Sequence, residues 1–222
     1  MRRFSRTTLT LADFKMSRND LFQLPGGPVG VAIGAEVRRE TQYDDRDENV
    51  DGTYTFTDIV SGDTSISNVA AVSPNPDTRG SRTVTGAFLE FAVPLVSPSM
   101  NVPLVYSLDM QLAGRFEHYS DFGSVAKPKI AVAWDIVDGL RLRGSYSEGF
   151  RAPNLEQVNA TQYARAAGGT DYYRCEADIR NGVIASMNEC SQGASSSLLI
   201  AGNPDLKPEE STNQSFGLVF QP

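Results

Sequence analysis

Apolar and polar residues alternate along much of this chain. Between Leu108 and Ser147, apolar side chains occupy every second position of three successive stretches, and mostly charged or small side chains stand between them. Because successive side chains of a β-strand point to opposite faces of a sheet, this pattern predicts antiparallel strands with one apolar face. The apolar positions are Leu108, Met110, Leu112, Phe116, Ile130, Val132, Trp134, Ile136, Leu140, Leu142 and Tyr146. A soluble β-sandwich and a membrane β-barrel both show such alternation, so the period alone leaves both architectures open.

The same period recurs elsewhere and predicts about seven strands. They lie at Thr7–Met16, Val29–Glu40, Thr83–Val96, Pro103–His118, Lys129–Ile136, Leu140–Ser147 and Thr212–Phe220. The short turns fall near residues 22–28, 97–102 and 137–139, and longer connections fall at residues 41–82, 119–126 and 150–210. Outer-membrane barrels have this asymmetry, with short periplasmic turns and longer extracellular loops. The sequence therefore favours an all-β, antiparallel transmembrane β-barrel segment.

Composition and charge argue against several other classes of protein. Asp and Glu number 27 against 20 Lys and Arg, without a basic cluster that would neutralise phosphates, so no nucleic-acid partner is expected. No apolar run reaches the roughly 18 residues that a membrane-spanning helix requires. With one histidine, His118, and no G-x-S-x-G segment, we expect no enzymatic activity. Arg2 and Arg3 precede no apolar export signal, so we expect a fragment if the protein belongs in an outer membrane.

Two segments resemble recurrent signatures in the barrel of TonB-dependent outer-membrane receptors. The first comprises Ser147, Glu148, Gly149, Phe150, Arg151, Ala152, Pro153 and Asn154. The second comprises Asn203, Pro204, Leu206, Lys207, Pro208 and Glu209. A third match, in the expected order, is Tyr119–Gly123 followed by Pro128, Lys129 and Trp134. The resemblance covers nearly the whole chain except the interiors of the long loops.

The resemblance implies an outer-membrane location in a Gram-negative bacterium. It also implies a 22-stranded barrel filled by a plug domain, and energised uptake of a scarce ligand such as a siderophore, cobalamin, haem or an oligosaccharide. The implied partners are outer-membrane lipid, the plug and the TonB–ExbB–ExbD complex. Residues 1–222 would be a partial barrel with extracellular loops at about 41–82 and 150–210, without a plug or a TonB box.

The expected activity of the isolated chain differs from that of a complete receptor. About seven strands do not close a barrel of that size, and two open edges in lipid leave backbone groups without partners. We therefore expect residues 1–222 alone not to transport. The alternatives are a passive porin-type barrel and a truncated remnant without function.

Candidate ligand-binding residues lie in the segment 150–210. Arg151 and Asn154 are either ligand contacts or scaffold for the loop. Tyr172, Tyr173 and Arg174 suit recognition of a sugar or chelate by stacking, or else they pack the loop onto a disulfide. The outer-membrane location implied by the resemblance is oxidising, so a disulfide between Cys175 and Cys190 is expected.

We expect neither a metal site nor a cofactor. The acidic run Asp44–Gly52 spaces carboxylates as a calcium-binding loop does. However, the twelfth position counted from Asp45 is Phe56 rather than the bidentate glutamate that such a loop requires. The run is therefore interpreted as a solvated loop tip.

Overall fold

The structure is a computed structural model that describes residues 2–66 and 73–221. Its strands are β1 Arg3–Leu24, β2 Gly27–Arg46, β3 Thr55–Thr57, β4 Thr64–Ile66, β5 Thr78–Val96, β6 Ser107–Tyr119, β7 Gly123–Val137, β8 Leu140–Arg151, β9 Tyr163–Thr170, β10 Gly193–Ile200 and β11 Glu209–Phe220. Its helices are α1 Glu48–Asp51, α2 Leu155–Asn159 and α3 Tyr172–Arg180, with short 3₁₀ turns at Pro98–Met100 and Met187–Glu189. None of the helices within the described residues is both long and apolar enough to cross a membrane.

The described chain divides into two compact units. The wall unit comprises Thr7–Thr41, Gly80–Val158 and Pro204–Pro222. The loop unit comprises Met1–Arg6, Gln42–Arg79 and Asn159–Asn203.

A seven-stranded antiparallel sheet forms the wall, in the order β1-β2-β5-β6-β7-β8-β11. Neighbours in this sheet follow one another along the chain, apart from the small elements inserted between them, so each connection is a simple hairpin or a long loop. The predicted all-β fold is confirmed, and the seven predicted strands are those of this sheet.

Cross-strand register places the alternating apolar residues in continuous rows. Trp134 lies opposite Leu108 on one side and Leu142 on the other, and Leu142 lies opposite Leu218. We call this side the apolar face and the opposite side the polar face. Many large apolar side chains of the sheet remain exposed, including Phe216 at 86%. Such a surface is unfavourable in water and suits a face that lipid covers.

The structure corrects the predicted loop at residues 119–126. Strand β6 runs to Tyr119 and β7 begins at Gly123, so only three residues connect them. Gly123 has φ +99°, a conformation open to glycine, and the Ser120 N–H donates to the Thr83 carbonyl at 3.0 Å. The turn is therefore tight although its sequence is polar.

Strand ends also differ from the sequence prediction. Strand β2 continues to Arg46 and β5 begins at Thr78, so both extend into the segment expected to be a loop. In contrast, residues 103–106 form part of a turn rather than of the predicted strand, because Pro103 has no amide hydrogen for a ladder and Leu104 has φ +61°.

Both long connections contain regular structure that the sequence pattern did not predict. Strands β3 and β4 pair in the first, and β9 and β10 pair in the second, from Tyr163 opposite Ile200 to Thr170 opposite Gly193. Helices α1 and α3 begin at capping aspartates: Asp47 accepts from the Asn49 N–H, and Asp171 accepts from the Arg174 N–H.

Candidate functional site

Small residues on the polar face form a recess of about 770 Å³ in the wall. Its floor includes Gly30, Ala92, Ala131, Ala133 and Ser145. Lys129 and Arg143 also line it, and neither makes an ion pair among the described residues. Asp109 lines the recess as well, so this part of the polar face combines a depression with two cationic side chains and one carboxylate.

A buried polar network lies at the other end of the polar face, around Tyr119. The Arg38 guanidinium donates to Glu117 Oε2 at 3.1 Å and to the Tyr119 hydroxyl at 2.9 Å, and that hydroxyl donates to Glu117 Oε2 at 2.7 Å. Glu117 and Tyr119 are each only 4% exposed. A buried carboxylate is tolerated when cations and hydrogen bonds compensate for lost hydration, and here Arg115 also donates to Glu117. We call these residues, with Glu40 and Arg82, the Tyr119 network.

Arg82 connects this network to the end of strand β8. Its Nε donates to Glu40 Oε2 at 2.7 Å and its Nη1 donates to the Pro153 carbonyl at 2.6 Å. Its guanidinium carbon lies 5.2 Å from the centre of the Tyr119 ring. Arg82 thus fixes the point at which the chain leaves the sheet after β8.

Aromatic contacts strengthen the same junction. The Phe122 ring stacks on Tyr119 with centres 4.4 Å apart, and Phe150 meets Tyr119 edge-on at 6.0 Å. Phe122 and Phe150 come from two different motifs of the sequence, the Tyr119–Gly123 turn and the first signature. The structure brings these two motifs together.

Asn154, the last residue of the first signature, caps the helix that follows it. Asn154 Oδ1 accepts from the Gln157 N–H at 2.7 Å, and Gln157 Oε1 accepts from the Asn154 N–H at 2.9 Å. This reciprocal pair is a capping box that begins α2. Because the cap uses the Asn154 side chain, the geometry favours the scaffold interpretation of that residue over ligand contact.

The first signature lies beside the end of the second one, where strands β8 and β11 pair. Gly149 lies opposite Ser211, and Arg151 opposite Glu209, with Arg151 Nη1 3.6 Å from Glu209 Oε2. Both of those charged side chains are largely exposed, so this ion pair contributes little stability. Lys127 links strand β7 to these two strands. Its Nζ lies 2.9 Å from Glu210 Oε1 on β11 and 3.7 Å from Glu148 Oε2 on β8.

The candidate recognition residues of the loop unit lie on α3. Tyr172 is 67% exposed and Tyr173 is 89% exposed, so neither ring is packed against the disulfide. The Arg174 Nε lies 3.5 Å from Asp171 Oδ2 at the start of the helix. Below them, the buried Cys175 is joined to Cys190, with Cα atoms 5.5 Å apart.

The family follows from a comparison with known sequence families. The model described as "TonB dependent receptor-like, beta-barrel" matches residues 2–222. The chain belongs to the TonB-dependent receptor β-barrel family. It is therefore part of an outer-membrane protein of a Gram-negative bacterium, as the signatures predicted.

Curated relatives match half of this receptor chain. The "Probable TonB-dependent siderophore receptor PirA" of Acinetobacter baumannii is 31% identical over 121 residues, which are 54% of this chain and 14% of that protein. The "Iron-regulated outer membrane virulence protein" of Vibrio cholerae serotype O1 is 27% identical over 111 residues, which are 50% of this chain and 13% of that protein. The matched segments are thus a small part of each relative.

Solved structures share the fold of this receptor chain at lower identity. The crystal structure of the siderophore receptor PirA from Acinetobacter baumannii has a TM-score of 0.59 and 22% identity, over 97% of this chain and 25% of that chain. A variant of the ferric enterobactin receptor PfeA from Pseudomonas aeruginosa has a TM-score of 0.62 and 17% identity, over 98% and 25%. At these identities the likeness concerns the fold alone.

The acidic run of this receptor chain is engaged in local structure. The Asp44 carboxylate pairs with Arg3 and Arg46, and Asp51 accepts from the Thr53 N–H at 2.8 Å. Hydrogen bonds from the Asn49 side chain and from the backbone of Arg2 and Asn49 lower the pKa of Asp47 to about 2. Asp47 therefore stays ionised at neutral pH, and these contacts of Asp44, Asp47 and Asp51 organise the loop.

Sequence reasoning missed Arg38, Glu40 and Arg82 as members of one network. Arg38 occupies a predicted polar-face position, but its partners Glu117 and Tyr119 are about 80 residues away along the chain. Arg82 lies in a segment expected to be a loop. Their only sequence signal was a concentration of opposite charges at polar-face positions near strand ends.

Proposed function

We propose that this chain is the barrel-wall portion of an outer-membrane receptor that imports an iron-loaded siderophore. The observation that carries the proposal is the match to PirA, found both by sequence over 121 residues and by fold over 97% of the chain. The relative matched by sequence is named a probable siderophore receptor. The name favours a siderophore over cobalamin, haem and an oligosaccharide, which are the other ligand classes that the family resemblance left open.

In this proposal the polar face lines the interior of the complete barrel. The recess with Lys129 and Arg143 would face the plug domain or the passing anionic chelate. The TonB–ExbB–ExbD complex of the inner membrane would supply the energy, as the family implies. The Tyr119 network would keep the end of β8 fixed while the ligand moves, because buried, fully paired charges resist rearrangement.

The loop unit would contribute to ligand capture on the extracellular side. Tyr172 and Tyr173 present rings to solvent beside the cationic Arg174. Iron(III) complexes of aromatic oxygen chelators carry negative charge and flat rings, which match stacking surfaces and a guanidinium.

Replacing Tyr172 and Tyr173 together by alanine is expected to weaken binding of a ferric catecholate about tenfold. Each aromatic contact contributes roughly 0.5–1.5 kcal/mol, and about 1.4 kcal/mol corresponds to a factor of ten. The measurement is equilibrium binding to the full-length receptor in isolated outer membranes.

Tyr54→Ala is the matched control, since Tyr54 is an exposed tyrosine elsewhere in the loop unit. This control should bind as the unaltered receptor does. Equal binding by the double variant would remove α3 from the ligand site. A receptor that binds no ferric siderophore at all would overturn the proposed function itself.

A further inference from the structure

The turn from Ser97 to Tyr106, between β5 and β6, is longer than its position requires. It lies on the side of the sheet where the other two hairpins have two-residue connections, at Pro25–Gly26 and Asp138–Gly139. In this turn, the 3₁₀ segment Pro98–Met100 is followed by a single bridge between Val102 and Val105. Because the short turns of an outer-membrane barrel face the periplasm, this turn lies at the periplasmic surface.

The composition of the turn is unusual for a segment in water. Residues 97–106 contain no Asp, Glu, Lys or Arg. Four of its apolar side chains are exposed, namely Met100, Val102, Leu104 and Tyr106. Since surface turns are ordinarily rich in polar and charged residues, this turn needs an apolar environment.

Leu104 shows most clearly that this turn is unfavourable in water. Its backbone has φ +61°, a left-handed conformation that is costly for residues with a Cβ and is usually taken by glycine or asparagine. Asn101 takes the other left-handed position of the same turn, as expected for its type. Leu104 is also 70% exposed, so in water both its backbone and its side chain would be unfavourable. A leucine is advantageous there only if its side chain is buried by something outside the chain.

Trp134 shows which surface the turn adjoins. Its indole Nε1–H donates to the Leu104 carbonyl at 3.0 Å. Trp134 lies on the apolar face between Leu108 and Leu142, so the peptide of Leu104 is held against the rim of that face. Tryptophan prefers the membrane–water interface, where its ring contacts lipid and its N–H finds a polar partner.

We propose that the Ser97–Tyr106 turn inserts its apolar side chains, with Leu104 deepest, into the periplasmic phospholipid leaflet of the outer membrane. The turn extends the lipid-contacting face beyond the ends of the strands. It anchors this wall segment in the membrane interface, at the depth of Trp134. The occupant is lipid because the turn is uncharged, apolar and joined to the apolar face by the indole hydrogen bond. The proposal depends on the family's membrane location and not on the identity of the ligand.

The test measures the depth of position 104 in a bilayer. The full-length receptor carrying Leu104→Cys is labelled with a nitrobenzoxadiazole fluorophore and placed in phosphatidylcholine vesicles containing brominated lipid. Ser99→Cys, an exposed polar position of the same turn, is the matched control, and the unsubstituted receptor gives the labelling background. An interfacial segment lies roughly 5–10 Å into the headgroup–acyl boundary, so we expect about twofold stronger quenching by lipid at position 104 than at position 99.

The same samples are titrated with aqueous iodide, which should quench the label at position 99 more than the label at position 104. Equal iodide quenching at both positions, without quenching by brominated lipid at position 104, would overturn the proposal. Folding is verified by the heat-dependent mobility of the barrel on gels. If Leu104→Cys does not fold, Val102→Cys replaces it with the same expected result and the same contradicting one.

Discussion

Arg38→Ala is expected to lower the free energy of unfolding by about 3 kcal/mol, the low end of the range for breaking a buried ion pair. The substitution removes the cation that contacts Glu36, Glu40 and Glu117 together. Glu117 is 4% exposed, so the loss of a cationic partner leaves its charge poorly compensated. The loss is not larger because Arg115 and the Tyr119 hydroxyl still donate to Glu117. Denaturant unfolding of the full-length receptor in lipid vesicles measures the difference.

The next residue along the chain provides the matched control. Arg39 has the same side chain, but it is exposed and points to the opposite face of β2. Arg39→Ala should change the unfolding free energy by no more than about 0.5 kcal/mol. Equal destabilisation by the two variants would show that the Tyr119 network contributes nothing specific, and that the loss reflects removal of any arginine from this strand.

Replacing Cys175 and Cys190 by serine is expected to destabilise the loop unit by about 3 kcal/mol on the chain-entropy model. The disulfide closes a loop with a sequence separation of 15 residues and joins α3 to the segment before β10. Hydrogen exchange of the β9–β10 amides should accelerate, while the amides of β6 and β7 in the wall unit should exchange as before. Reduction of the unaltered receptor should reproduce the effect and thereby control for the serine side chains.

Thiol chemistry provides an independent check on the same pair. Alkylation of the native, unreduced receptor should leave both cysteines unmodified, and alkylation after reduction should modify both. Two reactive thiols in the native receptor would show that the bond is absent. The exchange result would then need another explanation.

The wall could be predicted from sequence because its physical cause is local. A strand with lipid on one side and polar surroundings on the other must alternate, so Ile130, Val132 and Trp134 reveal the face without knowledge of their partners. The signatures added the family and the chain order of the strands. Together they were sufficient for the seven strands of the wall sheet and for its two faces.

The long connections were not predictable in the same way. Their strands and helices are stabilised by caps, a disulfide and hairpin pairing, none of which produces a period along the sequence. The Ser120–Phe122 turn was mistaken for a loop because polar composition does not distinguish a three-residue turn from a long one. The Tyr119 network was missed because Arg38 and Glu117 meet only after three strands have paired.

The candidate site could be predicted only as a list of residues, not as an arrangement. Asn154 was singled out from the signature, but its reciprocal bond with Gln157 required the structure. The same holds for Tyr172 and Tyr173, whose exposure argues against packing on the disulfide and leaves their role in recognition a prediction. Sequence indicates which side chains are available, and the fold determines which of them are already engaged.

The most direct test of the proposed receptor function is energised import of iron through the full-length receptor. Cells that lack other siderophore receptors are supplied with radioactive iron as a ferric catecholate, with and without a functional TonB. We predict import with TonB, and surface binding without import when TonB is absent. Residues 1–222 alone should import nothing, because open edges at β1 and β11 leave backbone groups without partners in lipid. Equal import with and without TonB, or no import of any ferric siderophore, would contradict the account.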